Sequence, residues 1–338
     1  MPIKCALIGY GYWGRNVAKA ISVNPAFKLV CIYDEDSNAL ENARSLYDFT
    51  LYPSYESILC DESIEAIFII TPPHTHFTLT KAALEHHKHT FVEKPLTTDL
   101  QEAYKLYDLA QKQNVQLYCD HIFLHSPAVN YLKEHIADFG EIVYINARRI
   151  NLGLFQSNVD VIWDLAIHDL SIIDYLVGLH IKKVSTFKTK YLDYPNDALA
   201  NINIELESGI IITLNVSWLS PIKVREMMIG GSKKTAIYDE TKRDKIAIFD
   251  TGVVIKDEFD KNSLYQKMVE YKLGKQEIPN LPHNMALDSS IAFFAQKILV
   301  TIPSYSNASS QRHSHIDSKN DKEHILRVIK ALEIISRA

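Results

Sequence analysis

The stretch Ile3-Lys4-Cys5-Ala6-Leu7-Ile8-Gly9-Tyr10-Gly11-Tyr12-Trp13-Gly14 decides how the first part of the chain folds. Ile3 to Ile8 is a short apolar run with room for one buried strand. Gly9, Gly11 and Gly14 then fall in the spacing G-x-G-x-x-G. After a strand and before a helix, each glycine has its own task. Gly9 permits the tight turn out of the strand, Gly11 lets the backbone approach a pyrophosphate, and Gly14 lets the next helix pack on the sheet. That helix, about Gly14 to Val23, aims its N-terminal N–H groups at the phosphates. A second strand-like run, Lys28 to Tyr33, ends at Asp34, 20 residues past Gly14. A carboxylate there accepts hydrogen bonds from the adenosine ribose hydroxyls. Strand, glycine turn, helix, strand and acid, in that order, predict a dinucleotide site at Gly9, Tyr10, Gly11, Tyr12, Trp13, Gly14 and Asp34. Glu35 and Asp36 add negative charge with no arginine immediately after, so NAD is expected in preference to NADP.

The bulk numbers suit this reading. A chain of 338 residues suits two domains, and 47% hydrophobic with 23% charged residues is normal for a soluble globular protein. A net charge of −5 argues against a general nucleic-acid or membrane-surface binder. No secretory signal and no apolar run of membrane-spanning length is visible, which points to a cytoplasmic protein. Cys5, Cys31, Cys60 and Cys119 lack C-x-x-C spacing and read as reduced thiols.

Farther along, Ala66 to Ile70 is a run of five apolar residues, the pattern of a strand buried on both faces in a parallel sheet. It stops at Thr71-Pro72-Pro73-His74-Thr75-His76, read as a loop facing the ligand crevice at the strand's carboxyl end. Phe77 to His86 is the next helix, and His86, His87 and His89 are read as solvated residues at its polar end, with no metal expected. Thr90 to Val92 is another strand, followed by Glu93-Lys94-Pro95. Thr98 to Asn114 is a capped helix, and Val115 to Cys119 is the last strand of this domain.

The glycine turn, the Thr71 to His76 loop and Glu93-Lys94-Pro95 together resemble the Gfo/Idh/MocA family of NAD(P)-dependent oxidoreductases. The resemblance runs from Ile3 to about Ser304 and is dense in motifs to Gly178. It implies that Thr71, Pro72, Pro73, His76, Glu93 and Lys94 join the cofactor site. It also implies that Lys94 reaches both the nicotinamide ribose and the substrate hydroxyl, and that the Lys94–Pro95 peptide is cis.

In the second half, Asp160 to Val177 reads as one helix, capped by Asp160 and followed by Gly178. Asp164 and His168 lie four residues apart, one above the other on a regular helix. A carboxylate one turn before a histidine can fix the imidazole while its other nitrogen works on a substrate proton. The family carries the same D-x-x-x-H pattern on the corresponding helix. Asp169 is a neighbouring alternative, about 100° around the helix from His168. From Lys183 to Val254 strand-like runs follow one another, with a hairpin turn at Ser208-Gly209. Ser304 to Asp321 reads as an exposed polar tract and Lys322 to Ser336 as a final amphipathic helix.

These readings predict an α/β Rossmann domain with a mostly parallel sheet over residues 1–120. An α+β domain with a largely antiparallel open sheet, serving substrate binding and assembly, is expected over 121–338. The expected reaction is hydride transfer between nicotinamide and a hydroxyl-bearing carbon of a sugar, nucleotide sugar or cyclic polyol. Lys94, Asp164 and His168 are the expected catalytic residues, joined at the substrate by Arg149, Asn151 and Trp163. Phe123 to Pro127, Arg148 to Gly153 and Trp163 to Asp169 resemble a branch associated with bacterial surface polysaccharides, which favours a nucleotide sugar. The family also holds NAD-dependent, redox-assisted glycoside hydrolases and non-catalytic ligand-sensing regulators. Apolar strands between Ala200 and Trp218, together with the family habit, suggest a homodimer or homotetramer through the second-domain sheet.

Overall fold

The computed structural model describes residues 1–255, 269–301 and 319–338. Its first compact unit comprises Met1–Ser126 and Asn284–Glu333, and its second comprises Pro127–His283 and Ile334–Ala338. In the first unit, β1 (Ile3–Ile8), β2 (Phe27–Tyr33), β3 (Ala66–Ile69), β4 (His89–Glu93) and β5 (Leu117–Asp120) form a parallel sheet in the order β2-β1-β3-β4-β5. The chain runs outward from β1 in both directions, so the strand order reverses beside β1. In such sheets the ligand crevice opens at that reversal, outside the carboxyl ends of the strands. The glycine turn leaves β1 there, and Thr71 leaves β3 beside it.

Both faces of a parallel sheet must be covered. Helices α1 (Gly14–Val23), α2 (Ser37–Arg44), α3 (Tyr55–Leu59), α4 (Pro73–Glu85) and α5 (Leu100–Gln113) connect the strands. A further cover comes from a distant part of the chain. In the second half, α6 (Pro127–His135) and α7 (Ile167–Val177) precede α8 (Ala286–Thr301). Leu287, Ile291, Phe294, Ala295 and Ile298 of α8 lie in the core cluster built on the first sheet. The Phe294 ring sits 5.6 Å from Phe68, 5.6 Å from Phe91 and 5.7 Å from Tyr118. The division expected at residues 120 and 121 therefore differs from the observed one. The first unit runs on to Ser126 and reclaims 284–333, because the aromatic surface of β3, β4 and β5 is buried under α8.

The second unit holds β6 (Ile142–Leu152), β7 (Ile181–Lys190), β8 (Asp197–Leu206), β9 (Ile211–Ser217), β10 (Leu219–Gly231), β11 (Thr235–Asp239), β12 (Ile246–Ile255) and β13 (Val269–Glu277). They form one mixed sheet in the order β13-β12-β11-β10-β6-β9-β8-β7, antiparallel except for β6 beside β9. Gly209, at φ +87°, turns the β8–β9 hairpin where the sequence places it. Most apolar residues of these two strands face inward: Ala200, Ile202, Ile204, Ile212, Leu214 and Val216 are buried, while Ile211 is exposed. The opposite face carries a polar ladder, with Asn215 Nδ2 donating to Asn201 Oδ1 at 2.8 Å and Thr213 Oγ1 to Asn203 Oδ1 at 3.2 Å. Apart from Ile211, the apolar strand set is core, and an assembly surface on this hairpin would be largely polar.

Three local expectations change. Pro73 occupies the first turn of α4, where its missing N–H costs nothing, so the loop after β3 is Ile70, Thr71 and Pro72, and His76 is helical. The expected Asp160 to Val177 helix holds a π-helical turn over Ile162–Ala166 before α7 begins. Most of the polar tract, with His313 and His315, lies outside the described residues. Asn320, read as exposed, is buried. The final helix forms as expected, as α9 (Lys322–Arg337).

Candidate active site

Gly9 adopts φ +93°, and a Cβ there would meet Ile70 O at 2.5 Å. A Cβ on Gly14 would meet Gly9 O at 2.2 Å, so helix α1 can approach the turn only without a side chain at Gly14. Gly11 differs: nothing lies within 4 Å of a Cβ built there, and its backbone is open to an incoming group. Helix α1 starts directly at this turn, Arg15 N donating to Gly11 O at 3.3 Å and Asn16 N to Trp13 O at 2.9 Å, so the positive end of its dipole lies at the glycine turn. Asp34 is anchored by backbone, its Oδ2 accepting from Tyr10 N at 2.6 Å and its Oδ1 from Asp36 N at 2.9 Å. Each oxygen keeps a second acceptor position for a ribose hydroxyl. These are the shape and donor set that a dinucleotide needs, and the residues present fit the cofactor. Tyr10 contributes its amide only, since its ring is buried against Tyr47. Tyr12 is exposed.

The ends of β3 and β4 are tied together beneath this turn. The Trp13 indole N–H donates to Glu93 Oε1, and the Lys94 amide donates to Glu93 Oε2 at 3.1 Å. The Lys94–Pro95 peptide is cis. His76 is wholly buried, with Nδ1 2.7 Å from Pro95 O and Nε2 2.8 Å from Thr71 O. Both partners are acceptors, so the two bonds are complete only when both ring nitrogens carry protons. Burial opposes that charge and lowers the pKa, against the pull of the two carbonyls. His76 therefore clamps Thr71 to Pro95, and its ring has no nitrogen left for a cofactor. Thr71 Oγ1 lies 2.6 Å from Thr75 Oγ1, which braces the same loop.

Glu93 is paired in register with Asp120 at the end of β5. Burial pushes the Glu93 carboxyl up to about 7, against the Lys94 ammonium and the Trp13 indole, which pull it down. Burial and the neighbouring Glu93 raise Asp120 well above the usual carboxylate range. The hydrogen bonds decide which acid holds the proton. Both Glu93 oxygens accept an N–H, whereas among the described residues Asp120 accepts only from Ser290 Oγ, at 2.6 Å. Asp120 Oδ2 is buried with no hydrogen-bond partner among the described residues. Asp120 is thus the neutral acid and Glu93 the carboxylate beside Lys94. Behind Ser290 stands Tyr118 at 2.8 Å, with Asn320 Nδ2 donating to the Tyr118 oxygen at 2.7 Å. No local pattern in the sequence marks this network.

In the second unit, Asp164 and His168 stand out by exposure. Every residue from Val161 to Leu176 is buried except these two, which are half-buried. Asp160 holds the start of the π turn, its Oδ1 accepting from Ile162 N and Trp163 N at 3.0 Å each. Such turns are rare and frequent at functional sites. Asp164 Oδ2 accepts from the Trp218 indole at 2.9 Å, a partner 54 residues away that sequence reasoning missed. Arg149 is paired inside the unit. Its Nε and Nη2 bind Asp169 Oδ2 and Oδ1 at 3.0 and 2.8 Å, with both side chains buried. That pair holds β6 to α7 and removes Arg149 and Asp169 from direct contact with a substrate. Trp163 is also buried, while Asn151 is half-buried at the end of β6 beside Gly153 and Trp218.

Comparison with known proteins agrees with this geometry. Residues 3–121 match the oxidoreductase family with an NAD-binding Rossmann fold, and residues 135–237 match the GFO/IDH/MocA C-terminal domain. The chain belongs to the Gfo/Idh/MocA family. Like its relatives, this Gfo/Idh/MocA chain is an NAD(P)-dependent oxidoreductase. It is 29% identical over 238 residues to UDP-N-acetylglucosamine 3-dehydrogenase of Acidithiobacillus ferrooxidans, covering 70% of this chain and 74% of the relative. It is 30% identical over 248 residues to scyllo-inositol 2-dehydrogenase (NAD(+)) of Bacillus subtilis, covering 68% and 71%. A solved structure of the A. ferrooxidans enzyme matches with TM-score 0.78 at 25% identity over 99% of this chain and 97% of that one. A 3-ketoreductase from Actinomadura kijaniata, solved with NADP and TDP-benzene, shares the fold with TM-score 0.80 at 17% identity, covering 100% and 98%. Among the described residues, no helix is long and apolar enough to cross a membrane.

Proposed function

We propose that this chain is a cytoplasmic NAD-dependent dehydrogenase that oxidises a secondary hydroxyl on the sugar ring of a nucleotide sugar. The observation that carries the reading is the Asp164–His168 pair, left partly open on a helix that is otherwise buried. A buried helix gains nothing in packing from a carboxylate and an imidazole, and desolvating them costs free energy. Resemblance to a UDP-sugar dehydrogenase over 70% of the chain supports the substrate class. The Asp34 carboxylate, followed by exposed Glu35 and Asp36, supports NAD by repelling a 2′-phosphate. Exposed Arg15, 5.9 Å from the Tyr10 ring, is an opposing charge in the first turn of α1.

When bound, the nicotinamide ring supplies the acceptor for hydride. The chain's own groups handle the proton and the charge. His168 takes the hydroxyl proton, its reference pKa being near neutrality. Lys94 holds the hydroxyl oxygen and stabilises charge there, with Glu93 as its counter-charge. Asp164, oriented by the Trp218 indole, positions His168 or the substrate. Thr71, Pro72 and Pro73 shape the cofactor side, fastened by His76, while Asn151 is the remaining substrate contact. The reading includes a homodimer or homotetramer through the second-unit sheet, checked by light scattering at micromolar concentration.

The test is a panel of nucleotide sugars, free sugars and cyclic polyols, scored for NADH absorbance, with calorimetry of NAD and NADP. Net NADH with a nucleotide sugar, and loss of turnover by about 10²–10⁴-fold in His168→Ala with NAD affinity kept, supports the reading. Near-wild-type turnover in His168→Ala makes that residue structural. Equal affinity for both cofactors removes the role given to Asp34.

A further inference from the structure

Away from the strand ends, α3 and the end of α4 bring three metal-ligating side chains together. One ligand atom each from Glu56, Cys60 and His86 lies within 4.8 Å of the other two. His86 Nε2 is 3.4 Å from Glu56 Oε1, and Cys60 Sγ is 3.8 Å from the same oxygen. Tetrahedral zinc, with bonds of about 2.1 Å to N and O and about 2.3 Å to S, sets edges of about 3.4 Å for N···O and about 3.6 Å for S···O. The two observed edges are therefore within about 0.2 Å of those a zinc ion would impose.

The side chains are also prepared for it. His86 Nδ1 lies 2.9 Å from Ala82 O, a carbonyl that can only accept. With its proton on Nδ1, the ring offers the Nε2 lone pair on the side of Glu56 while the carbonyl holds its other nitrogen, as in metal-binding histidines. Glu56 and Cys60 are one helical turn apart, so both point the same way. Their short helix is held rigidly: Ser54 and Ser57 form a capping box, Ile58 and Leu59 are buried, and Tyr55 OH donates to Leu79 O of α4 at 2.8 Å. A thiolate and a carboxylate balance the charge of a divalent ion. The thiolate and imidazole select zinc over magnesium or calcium.

We propose that Glu56, Cys60 and His86 form a zinc site on the surface of the first unit, completed by water and linking α3 to α4. Binding exchanges the Cys60 thiol proton for the metal and releases that proton to solvent, with no change of oxidation state. Cys5, Cys31 and Cys119 are buried and Cys60 is exposed, so a thiol reagent applied to the native protein reads Cys60.

The experiment follows the rate of alkylation of that thiol as zinc is added to metal-stripped, full-length protein. Only the metal-free fraction reacts, so labelling of the wild type slows about tenfold once free zinc is about ten times the dissociation constant. His86→Ala and Glu56→Ala, both at solvent-accessible positions, lose most of that protection. A cobalt titration gives a sulfur-to-cobalt charge-transfer band in the wild type and none in Cys60→Ser. Zinc that leaves the wild-type labelling rate unchanged overturns the proposal, as does protection that persists in full in His86→Ala.

Discussion

Alanine at each of the three glycines separates a folding requirement from a ligand requirement. At Gly9 the backbone sits at φ +93°, which costs an L-residue about 1–2 kcal/mol. Its Cβ would also press on Ile70 O at 2.5 Å and Ile70 C at 2.8 Å. Those atoms cannot move aside freely, because Ile70 N is bonded to Ile8 O at 2.8 Å. Overpacking of this kind costs about 1–3 kcal/mol, so Gly9→Ala should lose about 2–5 kcal/mol in all. Gly14→Ala meets backbone at 2.2 Å without the dihedral strain, and should lose about 1–3 kcal/mol. Gly11→Ala meets nothing within 4 Å, and its φ lies outside the left-handed region. Its stability should be unchanged or higher by up to about 1 kcal/mol, since alanine restricts the unfolded chain. The new methyl would occupy the approach of the pyrophosphate, so NAD affinity should fall about tenfold or more, equivalent to about 1.4 kcal/mol. Urea unfolding without cofactor gives the first set of numbers, and calorimetric titration with NAD gives the second. A Gly11→Ala variant that unfolds as easily as Gly9→Ala, or binds NAD as the wild type does, would refute these separate roles.

Breaking the buried Arg149–Asp169 pair with Arg149→Ala strands a carboxylate in the core and should cost about 3–5 kcal/mol. The double variant Arg149→Met/Asp169→Leu should recover most of that; denaturant midpoints compare the two. Asp120 gives a dependence on pH. Its carboxyl is raised in the folded protein, so the folded state holds a proton that the unfolded chain releases above its ordinary carboxylate pKa. Stability linked to it is complete below that ordinary value and is lost as pH rises toward the folded value, with a slope of at most about 1.4 kcal/mol per pH unit. Asp120→Asn mimics the neutral acid and should remove that slope in unfolding series between about pH 5 and 8, whereas parallel curves for the two proteins would place the proton elsewhere.

What could be read from the sequence was local. The strand, the three glycines and Asp34 form one βαβ unit, and each residue's task follows from the turn it occupies. Lys94 and the Asp164–His168 pair sit in short contiguous patterns. Distant partners could not be read that way. Trp13 reaches Glu93 across 80 residues and Trp218 reaches Asp164 across 54. Arg149 looked like a substrate ligand because nothing in its own strand reveals that Asp169 neutralises it. Helix α8 carries an ordinary apolar stripe, and a stripe does not say which sheet it will cover. The π turn was hidden for a related reason: a regular helical period fits Ile162–Ala166 equally well, and the extra residue per turn appears only in the backbone.

Isotope transfer shows whether this chain moves a hydride from a substrate carbon to the cofactor. A nucleotide sugar deuterated at the carbon to be oxidised would be turned over with NAD, and the reduced cofactor recovered for mass spectrometry. The reduced cofactor should carry one deuterium for each ketone formed, with no transfer by Lys94→Ala or His168→Ala beyond a small residue of wild-type turnover. Release of free sugar with no net reduced cofactor, or reduced cofactor without deuterium, would contradict it.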